Sequence, residues 1–290
     1  MSCAQGETSH GISKEWQGVT MEWEFLSEFA GSWLTRYERM LFRYILAATL
    51  VSLCVSLLFR SWMNKRRLQK RRATWRDIRR EVSFSLLTIG IGATIGLAMV
   101  ALSRAGYLHL YWEWTDYPLW WNIVSLPALI LLHDTYFYWV HRAIHHPRLF
   151  RHFHRVHHLS VSPTPWAAYS FSVGEALLMV LFTPLSLALL PIHIWVGIAF
   201  SFIQIFRNTM LHATCEFHPR GWVDGPLDFL TTTTHHNLHH QKFQGNYGFY
   251  FTFWDRLMGT ELKNYKDEFR RVTAGAVEND EGAKGAEVTP

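Results

Sequence analysis

The feature that most constrains this chain is the spacing of its histidines. There are 17 His, and 15 of them fall between His133 and His240. Three clusters stand out. His141 and His145 form H-x-x-x-H; His154, His157 and His158 form H-x-x-H-H; His236, His239 and His240 form H-x-x-H-H again. Residues three and four apart share one helix face, so each cluster predicts a helix presenting imidazoles to a metal. Neighbours such as His157 and His158 diverge by about 100°, so one can serve one ion and the other a second. These eight imidazoles, with His212 as a ninth, are too many for one ion and suit two ions with four or five ligands each. A lone H-x-x-x-H arises often by chance, but three boxes in one window do not. The boxes are embedded among Trp, Phe, Tyr and Leu rather than in a low-complexity His tract, which argues for a built site.

Composition points to a membrane. The chain of 290 residues is 49% hydrophobic and 16% aromatic, with 14 Trp, and Trp and Tyr collect at membrane interfaces. Apolar runs cover 41–59, 82–103, 117–132, 176–192 and 194–211, each near the length needed to span a bilayer. Gly92 and Gly96 give the second run a face for close helix packing. The net charge of +5 is concentrated in the basic stretch Lys65 to Arg80, between the first two runs. That placement favours a cytoplasmic juxtamembrane cluster over a nucleic-acid surface, and no nucleic-acid motif is present. Counting spans from this cluster puts all three His boxes on the cytoplasmic face. The three Cys are scattered and suggest no disulfide framework.

The expectation is an all-α integral membrane protein, with four to five transmembrane helices carrying a cytoplasmic helical metal domain. Residues 1–38 read as a polar tail or short surface helix. Residues 39–270 read as the membrane-embedded catalytic unit, with its His boxes in 133–240. Residues 271–290 read as a disordered tail.

Together the motifs resemble a family. Asp134-Thr-Tyr-Phe-Tyr-Trp-Val-His-Arg-Ala-Ile-His, Phe153-His-Arg-Val-His-His, Pro163-Thr-Pro-Trp-Ala-Ala-Tyr, His235-His-Asn-Leu-His-His and Trp254-Asp-Arg-Leu-Met-Gly-Thr are similar to those of the sterol desaturase/fatty acid hydroxylase superfamily, over about residues 75 to 262. The resemblance implies a membrane enzyme with two iron ions that uses O2 and external electrons to hydroxylate, or desaturate, a lipid. It implies His141, His145, His154, His157, His158, His236, His239 and His240 as metal ligands. His212, in Asn208-Thr-Met-Leu-His, matches a further family His. His133 and His235 are weaker candidates. Many bacterial relatives carry a His-Pro pair before the Glu that matches Glu175; this chain reads Phe171-Ser-Val-Gly-Glu.

The chemistry of the residues agrees with that implication. Imidazole suits Fe, Zn, Cu and Ni, and C–H oxidation needs a redox-active metal, although zinc can occupy such a site as a substitute. Candidate carboxylates are few: Asp134, Glu175, Glu216 and Asp255. Asp134 and Glu175 are the two expected to support catalysis. Asp134, two helical turns before His141, reads as an acceptor for an imidazole N–H, or else as a helix cap or a partner of Arg142. Arg142, Arg151 and Arg155 read as a solvated basic face, or as contacts for a lipid headgroup or an electron donor. The chain has no G-x-G-x-x-G after a strand, no Cys cluster and no fused haem domain. Electrons would therefore come from a separate protein, ferredoxin-like or cytochrome b5-like. A membrane metal transporter is the competing class, but its ligands belong near mid-bilayer. A zinc hydrolase is disfavoured by the absence of H-E-x-x-H.

Overall fold

A computed structural model describes residues 9–275, with side chains from Ser27 onward. Helix α1 (Ser9–Leu53) runs into a π-helical turn, Cys54–Leu58. α2 (Arg60–Lys65) and a basic loop lead to α3 (Trp75–Arg104). The chain then forms α4 (Leu119–Ile144), α5 (Pro147–Phe153), α6 (Arg155–His158), α7 (Val173–Leu189), α8 (Ile194–Leu211), α9 (Thr233–Lys242), α10 (Phe253–Leu257) and α11 (Tyr265–Thr273). Four stretches are long and apolar enough to cross a membrane: Ser27–Leu58, Trp75–Arg104, Leu119–Ile144 and Ile194–Leu211. α7 is a shorter apolar helix. The chain is a multi-pass helical membrane protein.

Two expected boundaries move. The stretch expected as a polar tail is helical from Ser9 and continuous with the first span; no proline interrupts it, so nothing ends the helix before the apolar run begins. At the other end, α11 extends to Thr273. Residues 1–8 and 276–290, which hold the remainder of the two expected tails, lie outside the described residues.

One short parallel pairing organises the bundle. β1 (Leu110–Tyr111) in the α3–α4 connection pairs with β2 (Ile192–His193) in the α7–α8 connection, Leu110 opposite Ile192 and Tyr111 opposite His193. Trp121 Nε1 donates to Pro191 O at 2.8 Å, and His193 Nε2 bonds Trp112 O at 2.8 Å. Both connections therefore meet at one end of the bundle. Beside them lies an apolar cluster that includes Leu129, Phe182, Leu187, Val196 and Phe200. The nine clustered histidines collect at the opposite end.

Local sequence sets the other elements. Thr74 and Asp77 form a reciprocal capping box that starts α3 just after the basic loop. A Cβ at Gly92 would come within 2.5 Å of Met40 on α1, and one at Gly96 within 3.0 Å of Arg36; the small face expected from sequence is where α3 meets α1. The basic loop is tied to the segment after α8 by Leu68 N to Thr214 O and Glu216 N to Arg66 O, each 3.0 Å. A 3-10 turn, Pro165–Tyr169, tucks against α1 and α3, where Trp166 O accepts from Tyr44 Oη at 2.8 Å and Ser85 Oγ at 3.1 Å.

Candidate metal centre

Nine imidazoles form two groups. His141, His145, His154, His158 and His239 make the first; His157, His212, His236 and His240 make the second. Within each group the ligand nitrogens lie within 4.8 Å of one another. These are the nine histidines singled out in the sequence, and both adjacent pairs split as helix geometry requires. His157 and His240 face one group, His158 and His239 the other. The groups abut, with the His158 and His240 rings 4.8 Å apart. His133 and His235 stand outside both groups.

The elements deliver these rings differently. His141 sits in the last turn of α4 and His145 at its C-cap. His236, His239 and His240 lie on α9, capped by Thr232 Oγ1 on His235 N. The middle box departs from expectation: it is not on one continuous helix. His154 is the hinge between α5 and α6, with φ −114°, and only His157 and His158 lie on α6.

Proton bookkeeping shows what the groups accommodate. A backbone carbonyl only accepts, so a ring Nδ1 bonded to one carries the ring proton. His141 Nδ1 bonds Tyr247 O (2.9 Å), His157 Nδ1 bonds Ser170 O (3.3 Å), His212 Nδ1 bonds Asn208 O (2.7 Å) and His239 Nδ1 bonds Gly245 O (2.8 Å). Each of these four neutral rings therefore turns a bare Nε2 inward. Yet His157 Nε2 and His212 Nε2 lie 3.3 Å apart, and His141 Nε2 lies 3.0 Å from His154 Nε2. Other Nε2 contacts, His212 to His236, His236 to His240, and His145 and His158 to His239, are 3.1–3.2 Å. Two nitrogens each about 2.1 Å from one ion sit about 3.0–3.4 Å apart, depending on the angle. The donor set and its spacing fit a cation in each group.

Burial keeps the lone pairs available. His157, His158, His236, His239 and His240 are held well below the usual imidazole range, first by desolvation and then by the neighbouring rings. His212 is lowered to about 4 by burial. All are neutral at physiological pH.

Carboxylates brace the cluster. Glu175, fully buried near the start of α7, accepts from His154 Nδ1 at 2.6 Å, the kind of outer contact that fixes an imidazole's tautomer and raises its basicity. Asp134 differs from the sequence reading. Among the described residues it meets no imidazole and no arginine; its Oδ1 accepts the backbone N–H of Tyr250 (2.7 Å) and Phe251 (3.2 Å). The reason is topological: the 247–251 loop folds back over α4 and its amides take the carboxylate. Two further carboxylates do work that sequence reasoning left unassigned. Asp255 accepts from Tyr247 N, Gly248 N and Thr260 Oγ1 at 2.7–2.8 Å, fixing the loop whose carbonyls orient His141 and His239. Glu216 accepts Thr234 N at 2.8 Å and bonds His218 Nδ1 at 2.7 Å, anchoring the start of α9. The closing Trp-Asp-Arg motif marked Asp255; no spacing marked Glu216. Gly245 sits at φ +71°, where a Cβ would come within 2.4 Å of Thr260 O, so only glycine places this carbonyl against His239.

Comparison with known proteins agrees with the geometry. Residues 126–260 match the family model described as Fatty acid hydroxylase. The chain is 28% identical over 188 residues to human lathosterol oxidase, covering 63% of this chain and 61% of that one. It is 30% identical over 200 residues to Delta(7)-sterol 5(6)-desaturase erg3C of Aspergillus fumigatus, covering 63% and 62%. It is 28% identical over 250 residues to erg3B of the same organism, covering 85% and 68%. The chain thus spans about three-fifths of the length of the first relatives it matches. No solved structure matches it. A fatty acid hydroxylase match that contains all nine clustered histidines, together with sterol desaturase relatives, supports placing the chain in the sterol desaturase/fatty acid hydroxylase superfamily.

Proposed function

We propose that this protein is a membrane oxygenase that oxidises a C–H bond of a lipid at two iron ions, using O2 and electrons from a separate protein. The observation that carries this reading is the pair of abutting all-imidazole groups at one end of an apolar bundle, in which His157 and His212 face each other with no proton between their nitrogens. His141, His145, His154, His158 and His239 would hold one ion, and His157, His212, His236 and His240 the other. When bound, iron supplies the redox chemistry that activates O2, which Zn²⁺ lacks.

The chain's own residues do the rest. Carbonyls of Tyr247, Ser170, Asn208 and Gly245 hold the ring protons on Nδ1, and Glu175 holds that of His154. The rings therefore need no reorganisation when they bind. Burial excludes water from the centre, and the helices below it admit an apolar substrate from the bilayer. The basic cluster at Lys65 to Arg80 supports a cytoplasmic position for this end by the positive-inside rule. Exposed Arg151 and Arg155, on α5 and α6 beside the centre, suit an acidic ferredoxin-like or cytochrome b5-like donor.

Hydroxylation consumes O2, two electrons and two protons, giving an alcohol and one water. Desaturation consumes the same and gives an alkene and two waters. The names of the relatives favour desaturation of a sterol-like substrate. Comparative lipid analysis of a deletion strain identifies the substrate, and labelled O2 then tests the reaction. Label in the lipid product marks hydroxylation, and a new double bond with label only in water marks desaturation. Product formed without O2 overturns the proposal.

A further inference from the structure

Two buried polar atoms near the first metal group have no partner among the described residues: His133 Nδ1 and Tyr250 Oη. Both residues are more than nine-tenths buried, His133 at 7% exposure and Tyr250 at 6%. Their surroundings are aromatic. The rings of Phe182 (4.7 Å), Phe200 (5.4 Å), Phe249 (5.4 Å), Tyr250 (5.6 Å) and Phe137 (6.0 Å) surround the His133 ring. A buried polar atom without a partner is costly, and two on different elements whose rings lie 5.6 Å apart call for an explanation in function.

The position supplies one. His133 lies eight residues before His141 on α4, roughly 12 Å along the axis, toward the interior of the bundle. Phe137 bridges the gap, with its ring also 4.9 Å from that of His141. The neighbour of His133, Asp134, binds the amides of Tyr250 and Phe251. One dipeptide thus supplies one polar atom of the cage and fixes the loop that carries the other.

We infer that His133 and Tyr250 bind the hydroxyl group of an uncharged lipid alcohol, within the aromatic cage on the bilayer side of the metal centre. This inference rests on the lipid-oxidation reading and names its substrate class. The hydrogen-bond inventory matches an alcohol: the tyrosine O–H donates to the hydroxyl oxygen, and the hydroxyl proton goes to the free ring nitrogen. A carboxylate would need charge-matched donors. Arg207, whose charge reaches Tyr250, is already bonded to Thr231 O and Oγ1.

The test is equilibrium binding to the full-length, metal-loaded protein in nanodiscs, with cholesterol, 5α-cholestane (which lacks the hydroxyl) and palmitate as probes. Cholesterol is expected to bind about tenfold more tightly than cholestane. Tyr250→Phe, which deletes a single oxygen, and His133→Phe should each abolish most of that preference while leaving cholestane affinity and metal content unchanged. His133→Gln, which keeps an acceptor, should restore part of it. If His133→Phe does not accumulate, Tyr250→Phe decides alone. Equal binding of cholesterol and cholestane, a preference that survives Tyr250→Phe, or tighter Tyr250-dependent binding of palmitate would overturn the inference. Its failure is separable from that of the oxygenase reading. A hydroxyl preference without any O2-dependent product sinks only the latter, and lipid oxidation without a hydroxyl preference sinks only the former.

Discussion

His157 Nε2 and His212 Nε2 face each other at 3.3 Å, although each ring has given its one proton to a backbone carbonyl. Two lone pairs directed at each other are repulsive, and a shared cation converts them into coligands. The two rings come from α6 and from the end of α8, so the cation would also join elements 55 residues apart. Metal and fold are coupled here in the usual sense that binding energy adds to folding energy.

Glu175 is expected to tune the first group through His154. Glu175→Gln keeps the size of the side chain and replaces its carboxyl group. It should lower metal affinity or turnover by roughly 10- to 100-fold, while the protein still reaches the membrane. Metal titration of the purified variant checks this; wild-type affinity and turnover would mean that the 2.6 Å contact is only packing.

Asp134 gives a different expectation. Both of its bonds go to one carboxylate oxygen, which an asparagine carbonyl can replace. Asp134→Asn should be mild. Asp134→Ala leaves the buried Tyr250 amide and the part-buried Phe251 amide without an acceptor, at a cost of about 1–3 kcal/mol for the buried one, and should lower the melting temperature in detergent. An imidazole partner, the reading favoured by sequence alone, would instead make Asp134→Asn reduce turnover sharply with no loss of stability.

That contrast marks where sequence reading succeeds and where it stops. The nine clustered histidines were legible because their spacings of one, three and four map directly onto helix faces. The separation of His157 from His158, and of His239 from His240, followed from the roughly 100° step between neighbours. Ile194–Leu211 was legible because its length and apolar content suit a span even though it contains Arg207. The hinge at His154 was not legible, because H-x-x-H-H reads the same across a break as along a helix. The roles of Asp134, Asp255 and Glu216 depend on amides 7 to 117 residues away, and no local pattern encodes such a partner. The continuity of the polar segment with the first span was not legible either, since its lack of apolar periodicity does not show that α1 runs on into the apolar run.

The pH dependence follows from the lowered imidazoles. His212 and His235 fall to about 4 from an ordinary 6.5, mainly through burial. The unfolded chain therefore binds more protons than the native one between those values, and stability falls as pH falls. The contribution is complete above pH 6.5 and is lost progressively toward pH 4. Thermal unfolding of the metal-depleted protein, followed by Trp fluorescence, should show a lower midpoint at pH 5 than at pH 7.5. A higher midpoint at pH 5 would contradict the assignment of buried neutral rings.

The most direct test of the two-centre account is a count of metal per chain. Protein purified anaerobically with iron should contain close to two irons. His240→Ala, which removes one ring of the second group, should leave close to one, because the five histidines of the first group remain intact. Crystals grown in air can still contain zinc, which such sites prefer over ferrous iron, so the anaerobic count is the one that decides. Two irons in the wild type and one in the variant is the predicted result; a wild-type count of one, or an unchanged count in His240→Ala, would contradict the account.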